Sequence, residues 1–289
     1  MDINQHSKYY NAYYYSRSSS GRCNGKHWEH NQERLDFISS IAEHIEKEFR
    51  PKTVLDAGCS MGFLVEILRK RQIEAYGVDV SEYALQSAPQ EVKPFCWVGS
   101  ITQTFPMDYN LIVCIEVLEH MPHLEAEKAI ENFCFHTEDI LFSSTPFDYK
   151  EETHFNVQPP EYWAEAFARH SFYHDLDYDA SYITPWAMRF RLQDKQIGRL
   201  VREYERKYFQ LWKENIDLRE TVLNLRCEMD EKEKTLDNLH SRMGGGEALP
   251  DLPATSTDSR KENESVPIRN GLQIFFRKMK SFYTGLVSK

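Results

Sequence analysis

A glycine-containing turn between two apolar segments constrains the fold more than any other part of the sequence. Residues 53–64 read T-V-L-D-A-G-C-S-M-G-F-L. The aliphatic run at its start is typical of a buried strand, and residues 63–70 continue it with apolar side chains at helical spacing. Strand, turn and helix in this order open a βαβ unit, which builds parallel sheets. Gly58 and Gly62 have no Cβ, so a ligand can approach the backbone there and the helix can pack closely on the strand.

The residue at the start of this turn separates two classes of ligand. Dinucleotide-binding folds carry G-x-G-x-x-G, with the pyrophosphate at the helix N-terminus. Here Asp56 stands where the first glycine would be. Its carboxylate would repel a diphosphate but attract a cationic amino-acid headgroup. The turn therefore favours a ligand with a cationic amino-acid headgroup over a dinucleotide.

The acid-x-Gly-x-x-x-Gly turn resembles motif I of the class I S-adenosylmethionine-dependent methyltransferases. This resemblance implies an α/β fold, a Rossmann-like doubly wound sheet with seven strands of which the last is antiparallel. It also implies S-adenosyl-L-methionine as the cofactor. The alternatives are a Rossmann-like domain for another nucleoside and a relative that has lost activity. The turn residues predicted to bind the cofactor are Asp56, Gly58, Cys59 and Gly62.

The next two predicted strands supply the other cofactor contacts. Residues 75–81 read as a second strand, ending in Asp79. This is about the distance from the turn at which a carboxylate should meet the two ribose hydroxyls of a nucleoside. The matching acid makes this contact in the family that the turn resembles. Residues 95–98 read as a third strand. Many family members follow it with an acid that bonds the adenine amine, whereas this chain has a serine. The predicted adenine contacts are Ser100 and the apolar residues Val80 and Ile101.

The fourth predicted strand, residues 109–115, runs into E-V-L-E-H over residues 116–120. Ligands of open α/β sheets lie beyond the carboxyl ends of the strands, so Glu116, Glu119 and His120 should face the reaction site. The stretch resembles small-molecule and glycan O-methyltransferases. We predict a cofactor contact for Glu116 and catalytic roles for Glu119 and His120, which could accept the hydroxyl proton. The alternative is that they cap the following helix, residues 124–135.

A divalent metal is a further alternative at the same motif. Two acids and a histidine within five residues, together with a later histidine, could hold Mg²⁺ or Mn²⁺. Related enzymes that methylate terminal ribose hydroxyls, and some quinone O-methyltransferases, place ions at a comparable motif. Their later ligand pattern is only loosely matched in this chain, so the sequence assigns no metal.

A second motif follows the fifth predicted strand, residues 140–144. Residues 154–163 read H-F-N-V-Q-P-P-E-Y-W and run into a predicted helix over 160–170. The run resembles bacterial methyltransferases associated with cell-surface polysaccharide synthesis. His154 is the second catalytic candidate, and the alternative is that it only pins the loop. Residues 172–192 are predicted to add an antiparallel hairpin.

Charge and hydropathy limit the partners of this domain. Residues 1–192 hold 17 Lys and Arg against 29 Asp and Glu, a balance of −12. Such a surface would repel a phosphate backbone, which argues against nucleic acid. No apolar run is long enough to span a bilayer and no leader pattern begins the sequence, which predicts a cytoplasmic protein. Residues 28–192 are assigned to the domain, and the Tyr-rich residues 1–27 to a flexible tail or a lid.

Residues 193–243 carry a heptad repeat, with 11 bases and 11 acids. Seven heptads with Leu at most d positions and a lone Asn at an a position favour a parallel homodimeric coiled coil, about 75 Å long. The alternative is a single solvated helix, because two Tyr side chains are bulky for a narrow interface. The d set is Ile197, Tyr204, Leu211, Leu218, Leu225, Lys232 and Leu239, and the a set is Val201, Tyr208, Asn215, Val222, Met229, Leu236 and Met243.

The rest of the chain divides into two segments. Residues 244–265 begin with three glycines and hold little apolar surface, which predicts a disordered linker. Residues 266–289 place apolar side chains on one helical face beside several bases, which predicts a basic amphipathic helix. Such a helix is typical of a peripheral anchor on a membrane, here the inner face of the cell membrane, or of a peptide that docks on a partner such as a glycosyltransferase.

Together these features predict an S-adenosylmethionine-dependent methyltransferase that O-methylates a sugar of a bacterial cell-surface glycan. The order of domain, coiled coil and basic end resembles the O-antigen chain-terminating methyltransferases, although those carry a kinase domain that this chain lacks. Two alternatives stay open. One is a small-molecule, quinone-type O-methyltransferase, and the other is an inactive scaffold with a dimerising rod.

Overall fold

The computed structural model describes Tyr10, Asn11, Tyr14 and residues 32–243 of the 289-residue chain. The predicted tail or lid over residues 1–27 lies mostly outside the described residues. The predicted linker, residues 244–265, and the predicted amphipathic helix, residues 266–289, lie entirely outside them. The contacts divide the chain into two units, Met1–Leu218 and Arg219–Lys289.

The first unit contains a seven-stranded sheet with helices on both faces. The strands are β1 (Thr53–Ala57), β2 (Glu74–Asp79), β3 (Cys96–Val98), β4 (Leu111–Ile115), β5 (Asp139–Ser143), β6 (Phe172–His174) and β7 (Met188–Leu192). The helices are α1 (Gln32–His44), α2 (Phe63–Lys70), α3 (Glu82–Gln86), α4 (His123–His136), α5 (Pro160–Ala168) and α6 (Ile197–Met243), of which α6 continues into the second unit.

The strands lie in the order β3-β2-β1-β4-β5-β7-β6. The first five are parallel to their neighbours, and β7 pairs antiparallel with both β5 and β6. The predicted seven-stranded Rossmann-like sheet with an antiparallel last strand is therefore confirmed. Because β1 and β4 are adjacent and the connections leave in opposite directions from them, the carboxyl ends of these strands form the edge at which a ligand is expected.

The apolar core has two layers, one on each face of the sheet. Helices α1, α2 and α3 cover one face, and α4 and α5 cover the other. Side chains of β1 alternate between them, so that Leu55 belongs to one layer and Val54 to the other, both with 0% exposure. Strands buried on both faces explain why the sequence shows continuous aliphatic runs instead of alternation.

The apolar spacing of residues 28–49 predicts an amphipathic helix that covers one face of the sheet. Helix α1 ends differently from this prediction. Regular α-helical bonding stops at His44, and residues 45–49 form a π-helical turn that Arg50 terminates in the left-handed region, with φ +48°. The Arg50 amide donates to the Ile45 carbonyl oxygen at 3.1 Å, which closes the wider turn. The apolar face of the helix still packs on the sheet, as predicted, through Ile41 and Ile45.

One arginine links this π turn to strands β7 and β5 of the sheet. The Nε and Nη2 atoms of Arg189 on β7 donate to the two oxygens of Asp139 at 2.9 and 2.5 Å. Its guanidinium lies 4.3 Å from the ring centroid of Phe49. Only 15% of the Arg189 side chain and 17% of the Asp139 side chain are exposed, so water screens the pair weakly.

We therefore expect Arg189→Met to lower the free energy of unfolding by about 3 kcal/mol, because Asp139 would stay buried without its partner. Urea denaturation at constant pH measures this. Arg191→Met is the matched control, since Arg191 is 48% exposed and lies 3.9 Å from the same carboxylate. It should cost less than about 1 kcal/mol. Equal losses for the two variants would contradict this account.

The long helix α6 has 47 residues. Its apolar heptad side chains from Ile197 to Leu239 are exposed, from 42% for Tyr204 to 80% for Ile197. The coiled coil predicted for this helix, and its pairing with a second copy, stay predictions. None of the helices in the described part of the chain has the length and apolar character that crossing a bilayer requires.

Candidate active site

The glycine turn after β1 adopts a conformation that only small residues allow. Gly58 has φ +89° and Gly62 has φ +75°. A Cβ built on Gly58 would lie 2.4 Å from Cγ2 of Val117, the residue after Glu116. The amides of Gly58 and Cys59 both donate to the Val78 carbonyl oxygen, at 2.8 and 3.1 Å. The turn is thus locked between β2 and the loop that follows β4.

Two carboxyls, the buried Asp56 and the half-buried Asp79, lie at the carboxyl ends of β1 and β2. Asp79 accepts hydrogen bonds from the Ser60 amide at 2.8 Å and the Ser81 amide at 2.7 Å. Burial, the larger cause, and the charge of Asp79 raise the pKa of Asp56 to about 7. Two neighbouring acids without a counter-ion favour a cationic ligand, since its charge would offset their repulsion.

The raised pKa of Asp56 makes stability depend on pH. Between about pH 4 and 7 the folded protein binds a proton that the unfolded chain has lost, so stability is highest below this range and falls as pH rises through 7. Because an amide stays neutral, we expect Asp56→Asn to raise the free energy of unfolding at pH 8 by about 2–4 kcal/mol. Urea denaturation should show this gain shrinking toward zero near pH 4. The exposed Glu138→Gln variant is the control, and a gain independent of pH would contradict the assignment.

The predicted adenine contacts occupy two different environments. Ile101 is buried, with 4% exposure, whereas Val80 is half-buried at the end of β2. The Ser100 hydroxyl is within 2.8 Å of the Thr102 hydroxyl and accepts from the Thr102 amide at 3.2 Å. Ser100 therefore stabilises its own turn, and its contact with adenine stays a prediction.

The loop after β4 holds two acids in contrasting settings. Glu116 has φ +54°, a strained conformation for a residue with a side chain. Its Oε1 accepts from the Ser143 hydroxyl at 2.7 Å and from Trp186 Nε1 at 3.0 Å. Glu119 has 0% exposure, and its Oε2 has no hydrogen-bond partner among the residues that the structure describes. Burial first, and then the charge of Glu116, raise the pKa of Glu119 well above its usual range.

Two histidines from different motifs meet beside Glu119. Nδ1 of His120 lies 3.0 Å from the hydroxyl and 3.2 Å from the carbonyl oxygen of Thr153. Nδ1 of His154 lies 2.8 Å from the Asp148 carbonyl oxygen, to which it donates. The ring centroids of His120 and His154 are 4.5 Å apart. With Nδ1 engaged in both rings, Nε2 is left with a lone pair for a proton or a metal.

These three residues fit a divalent metal. One ligand atom from each of Glu119, His120 and His154 lies within 4.8 Å of the others. Burial lowers the pKa of His120 to about 4, so the ring is neutral and its lone pair is available at physiological pH. The unpartnered Glu119 oxygen and the carbonyl oxygens behind the histidines are features of a ligand set. Glu116 is not a member of this cluster, and its Oε1 accepts from Ser143 and Trp186.

Two tyrosines of the N-terminal segment lie over this cluster. The ring centroids of Tyr10 and Tyr14 are 5.9 and 6.3 Å from that of His120, and both rings stand nearly perpendicular to it. The Ser81 hydroxyl donates to the Tyr10 carbonyl oxygen at 2.6 Å, which ties the segment to the end of β2. Burial, and to a smaller extent the charges of Tyr14 and Asp79, raise the pKa of Tyr10 far above its ordinary value. The lid role stays a prediction for residues 1–27 as a whole.

The predicted site residues therefore gather at one edge of the sheet. The two motifs join through a hydrogen bond from the Asn156 amide to the Glu119 carbonyl oxygen at 2.9 Å. Sequence reasoning missed Trp186, Thr153 and Ser143 as partners of these residues. For Trp186 the sequence did contain a signal, since this residue comes just before the predicted antiparallel strand. An antiparallel strand begins at the edge of the sheet where the parallel strands end.

Comparison with known proteins identifies the family. The profile of the family described as methyltransferase domain matches residues 27–179. The chain belongs to this family. The methyltransferase predicted from the glycine turn is thereby confirmed at the level of the family. The matched segment of the methyltransferase domain ends before β7, and it includes every residue of the Glu119 cluster.

Curated relatives resemble part of the chain. A ubiquinone biosynthesis O-methyltransferase from Idiomarina loihiensis is 32% identical over 112 residues, which cover 36% of this chain and 43% of that protein. A small RNA 2′-O-methyltransferase from Xenopus tropicalis is 31% identical over 130 residues, which cover 38% of this chain and 32% of that protein. The chain thus spans less than half the length of these relatives.

Solved structures share the fold of the methyltransferase domain. Two crystal structures of magnesium protoporphyrin IX methyltransferase from Synechocystis PCC 6803 have TM-scores of 0.50 and 0.51 and are 18% and 15% identical. The matched regions cover 66% and 65% of this chain, and 96% and 98% of the two Synechocystis chains. One holds S-adenosylmethionine and the other S-adenosylhomocysteine, the cofactor predicted for this chain and its product.

Proposed function

We propose that this methyltransferase domain transfers the methyl group of S-adenosylmethionine to a hydroxyl oxygen of a sugar in a bacterial cell-surface glycan. The observation that carries the proposal is the meeting of Glu119, His120 and His154 at the carboxyl edge of the sheet, one strand away from Asp56. The names of both curated relatives describe O-methyltransferases, which supports oxygen as the acceptor atom.

The cofactor would lie across the ends of β1 and β2. Its sulfonium supplies an already activated methyl group. The ammonium of its amino-acid part suits Asp56, and its ribose hydroxyls suit Asp79, whose oxygens keep lone pairs beyond their two amide bonds. Gly58 and Gly62 leave room for the backbone to contact the ligand. The main task of the protein is then to hold the acceptor oxygen in line with the sulfur–methyl bond.

Removal of the acceptor proton falls to the cluster of Glu119, His120 and His154. Either Nε2 of a histidine accepts the proton directly, or the three residues hold a divalent ion that would lower the pKa of a bound hydroxyl. The neutral state of His120 and the orphan oxygen of Glu119 favour the metal, since a histidine with a pKa of about 4 is a weak base. In both mechanisms, direct proton transfer to a histidine and binding to a metal ion, the acceptor lies against the same three residues.

The charge of the domain favours a neutral acceptor. Its balance of −12 and the acids at the site oppose a polyphosphate or nucleic-acid backbone. A sugar offers hydroxyls that donate to Glu116 and Glu119 and needs no countercharge. The H-F-N-V-Q-P-P-E-Y-W run, in which His154 lies, is the sequence feature that relates the chain to methyltransferases of surface polysaccharides.

The test is transfer of radiolabelled methyl from S-adenosylmethionine into a fractionated bacterial lysate, with and without a chelator. We expect label in the glycan or glycolipid fraction, and loss of that label with EDTA that Mg²⁺ or Mn²⁺ restores. Label confined to other fractions would contradict the acceptor. Full activity in EDTA would leave the histidines as direct bases.

A quinone-type acceptor is the second candidate, because several relatives are ubiquinone biosynthesis O-methyltransferases. Label in the small lipophilic fraction would select it. The third reading is an inactive scaffold. Asp56→Ala separates it from both enzymes, because it should abolish cofactor binding and transfer yet leave recruitment of partners intact.

We also propose that α6 pairs with α6 of a second copy as a parallel coiled coil. Its heptad side chains are exposed along the helix, and the buried amide of Asn215 would need the same residue opposite it. Sedimentation equilibrium should give a dimer for the full chain. Leu211→Glu with Leu218→Glu should give a monomer, whereas Glu214→Lys, outside the a and d positions, should not.

The membrane or glycosyltransferase partner proposed for residues 266–289 is tested by vesicle sedimentation with and without that segment.

A further inference from the structure

Three adjacent strands bring an acid and two aromatic side chains to the same edge of the sheet. Glu116 follows β4, Phe147 lies four residues after β5, and Trp186 lies two residues before β7. Because β7 is antiparallel to β5, its beginning lies next to the end of β5. The ring centroids of Phe147 and Trp186 are 5.9 Å apart and the rings are nearly perpendicular, at 84°. We call this pair the aromatic platform.

The platform is attached to the acid of the active site. Trp186 Nε1 donates to Glu116 Oε1 at 3.0 Å, and the Ser143 hydroxyl donates to the same oxygen at 2.7 Å. These bonds hold the indole in one orientation relative to the strained loop of Glu116. Glu116 in turn neighbours Glu119, whose pKa it raises. Glu116 thus links the indole to the Glu119 cluster.

One face of the platform is open. Phe147 is 68% exposed, whereas Trp186 is half-buried. An exposed phenyl ring costs hydrophobic free energy, and ring edges beside carboxyls are typical of places where a ligand covers the aromatic surface. Tyr10 and Tyr14 also lie against His120. Aromatic rings therefore contact both Glu116 and a histidine of the Glu119 cluster.

We propose that Trp186 and Phe147 form the subsite that binds the ring of the acceptor, and that this ring is a pyranose. A pyranose has an apolar face of C–H groups that packs on indole and phenyl rings, while its hydroxyls donate to carboxylates. The platform supplies the first kind of contact and Glu116 the second, within one hydrogen bond of each other. This inference rests on the proposed methyl transfer at the Glu119 cluster, and it assigns Trp186 and Phe147 as specificity-determining residues.

The substitutions separate ring binding from the positioning of Glu116. Trp186→Leu removes both the ring and the N–H donor, Trp186→Phe keeps a ring without the donor, and Phe147→Leu removes exposed ring surface alone. Phe135→Leu is the matched control, because Phe135 is 77% exposed and lies at the end of α4, next to the start of β5 at the opposite edge. Calorimetry with S-adenosylmethionine should give affinities within about threefold for all four variants.

The kinetic test uses the glycan fraction of the lysate as acceptor. We expect Phe147→Leu to raise the apparent KM for this fraction about tenfold with kcat within threefold. Trp186→Phe, which keeps a ring but loses the donor to Glu116, should lower kcat with KM within threefold, and Trp186→Leu should raise KM and lower kcat. Phe135→Leu should change neither. An unchanged KM in Trp186→Leu, together with an unchanged KM in Phe147→Leu, would overturn the subsite and leave Trp186 as a support for Glu116.

A binding test distinguishes failure of the subsite from failure of the proposed function. Saturation-transfer NMR is recorded on the full chain with S-adenosylhomocysteine and with methyl α-D-mannopyranoside, methyl β-D-glucopyranoside or catechol as probe. Contact with a glycoside that is lost in the Phe147→Leu and Trp186→Leu double variant supports the subsite even where the wild type methylates no glycan. Contact with catechol alone, or with no probe, overturns it.

Discussion

Replacing Glu119 with Gln is expected to lower kcat for methyl transfer by about 100- to 1,000-fold. The carboxyl is fully buried and one of its oxygens has no partner within the described part of the chain. An amide of the same size keeps the packing but removes the charge that a metal ion or a histidine would need beside it. The affinity for S-adenosylmethionine should stay within about threefold, since Asp56 and Asp79 lie on other strands.

Steady-state transfer of labelled methyl and calorimetry with the cofactor measure the two halves of this prediction. Glu131→Gln is the matched control, because Glu131 lies on α4 and is exposed. It should leave both quantities unchanged. Retention of more than a third of the wild-type kcat in Glu119→Gln would remove Glu119 from the reaction. A parallel loss of cofactor affinity would instead assign it to the cofactor site.

Gly58→Ala is expected to weaken cofactor binding by more than about 100-fold, which corresponds to about 2.7 kcal/mol. The added Cβ would lie 2.4 Å from Val117 Cγ2, and φ of +89° is unfavourable for any residue with a side chain. The turn must therefore move, and the loop that carries Glu116 moves with it. Calorimetry with S-adenosylmethionine measures the loss.

A second substitution separates the two causes of that loss. Gly58→Ala with Val117→Ala removes the clash but leaves the backbone strain, so it should recover part of the affinity. Gly198→Ala is the control, because no atom lies within 4 Å of a Cβ built there and α6 gains a better helix former. Wild-type affinity in Gly58→Ala would show that the turn does not contact the cofactor.

The elements whose formation depends on local sequence were predictable. The glycine turn, the acid at the end of β2 and the Ser81 N-cap, which accepts from the Ala84 amide at 3.0 Å, follow from residue type and spacing. The seven-stranded sheet followed from the order of strands and helices together with the family resemblance. Strand ends shifted by one or two residues, since hydrogen bonding to a neighbouring strand decides where a strand stops.

Contacts between distant segments were harder to predict. The edge rule for open sheets placed His120 at the reaction site, and the resemblance of the second motif made His154 a candidate. The bond from His120 to Thr153 depends on the path of the chain between two residues that are 33 positions apart. Trp186 carries no periodic signal because it lies in a loop, and only the antiparallel direction of β7 brings it to Glu116. The π turn of residues 45–49 depends on the packing of Phe49 under Arg189, which spacing alone does not encode.

The most direct test of the central claim locates the transferred methyl group on its acceptor. The full chain is incubated with S-adenosylmethionine labelled with carbon-13 in the methyl group and with the glycan fraction, and the product is examined by carbon-13 NMR. The account predicts a new signal of a methyl ether on a sugar oxygen, present with wild type and reduced to background in Glu119→Gln. A signal from a methyl group on nitrogen or on an aromatic oxygen, or no signal from a protein that binds the cofactor, would contradict it.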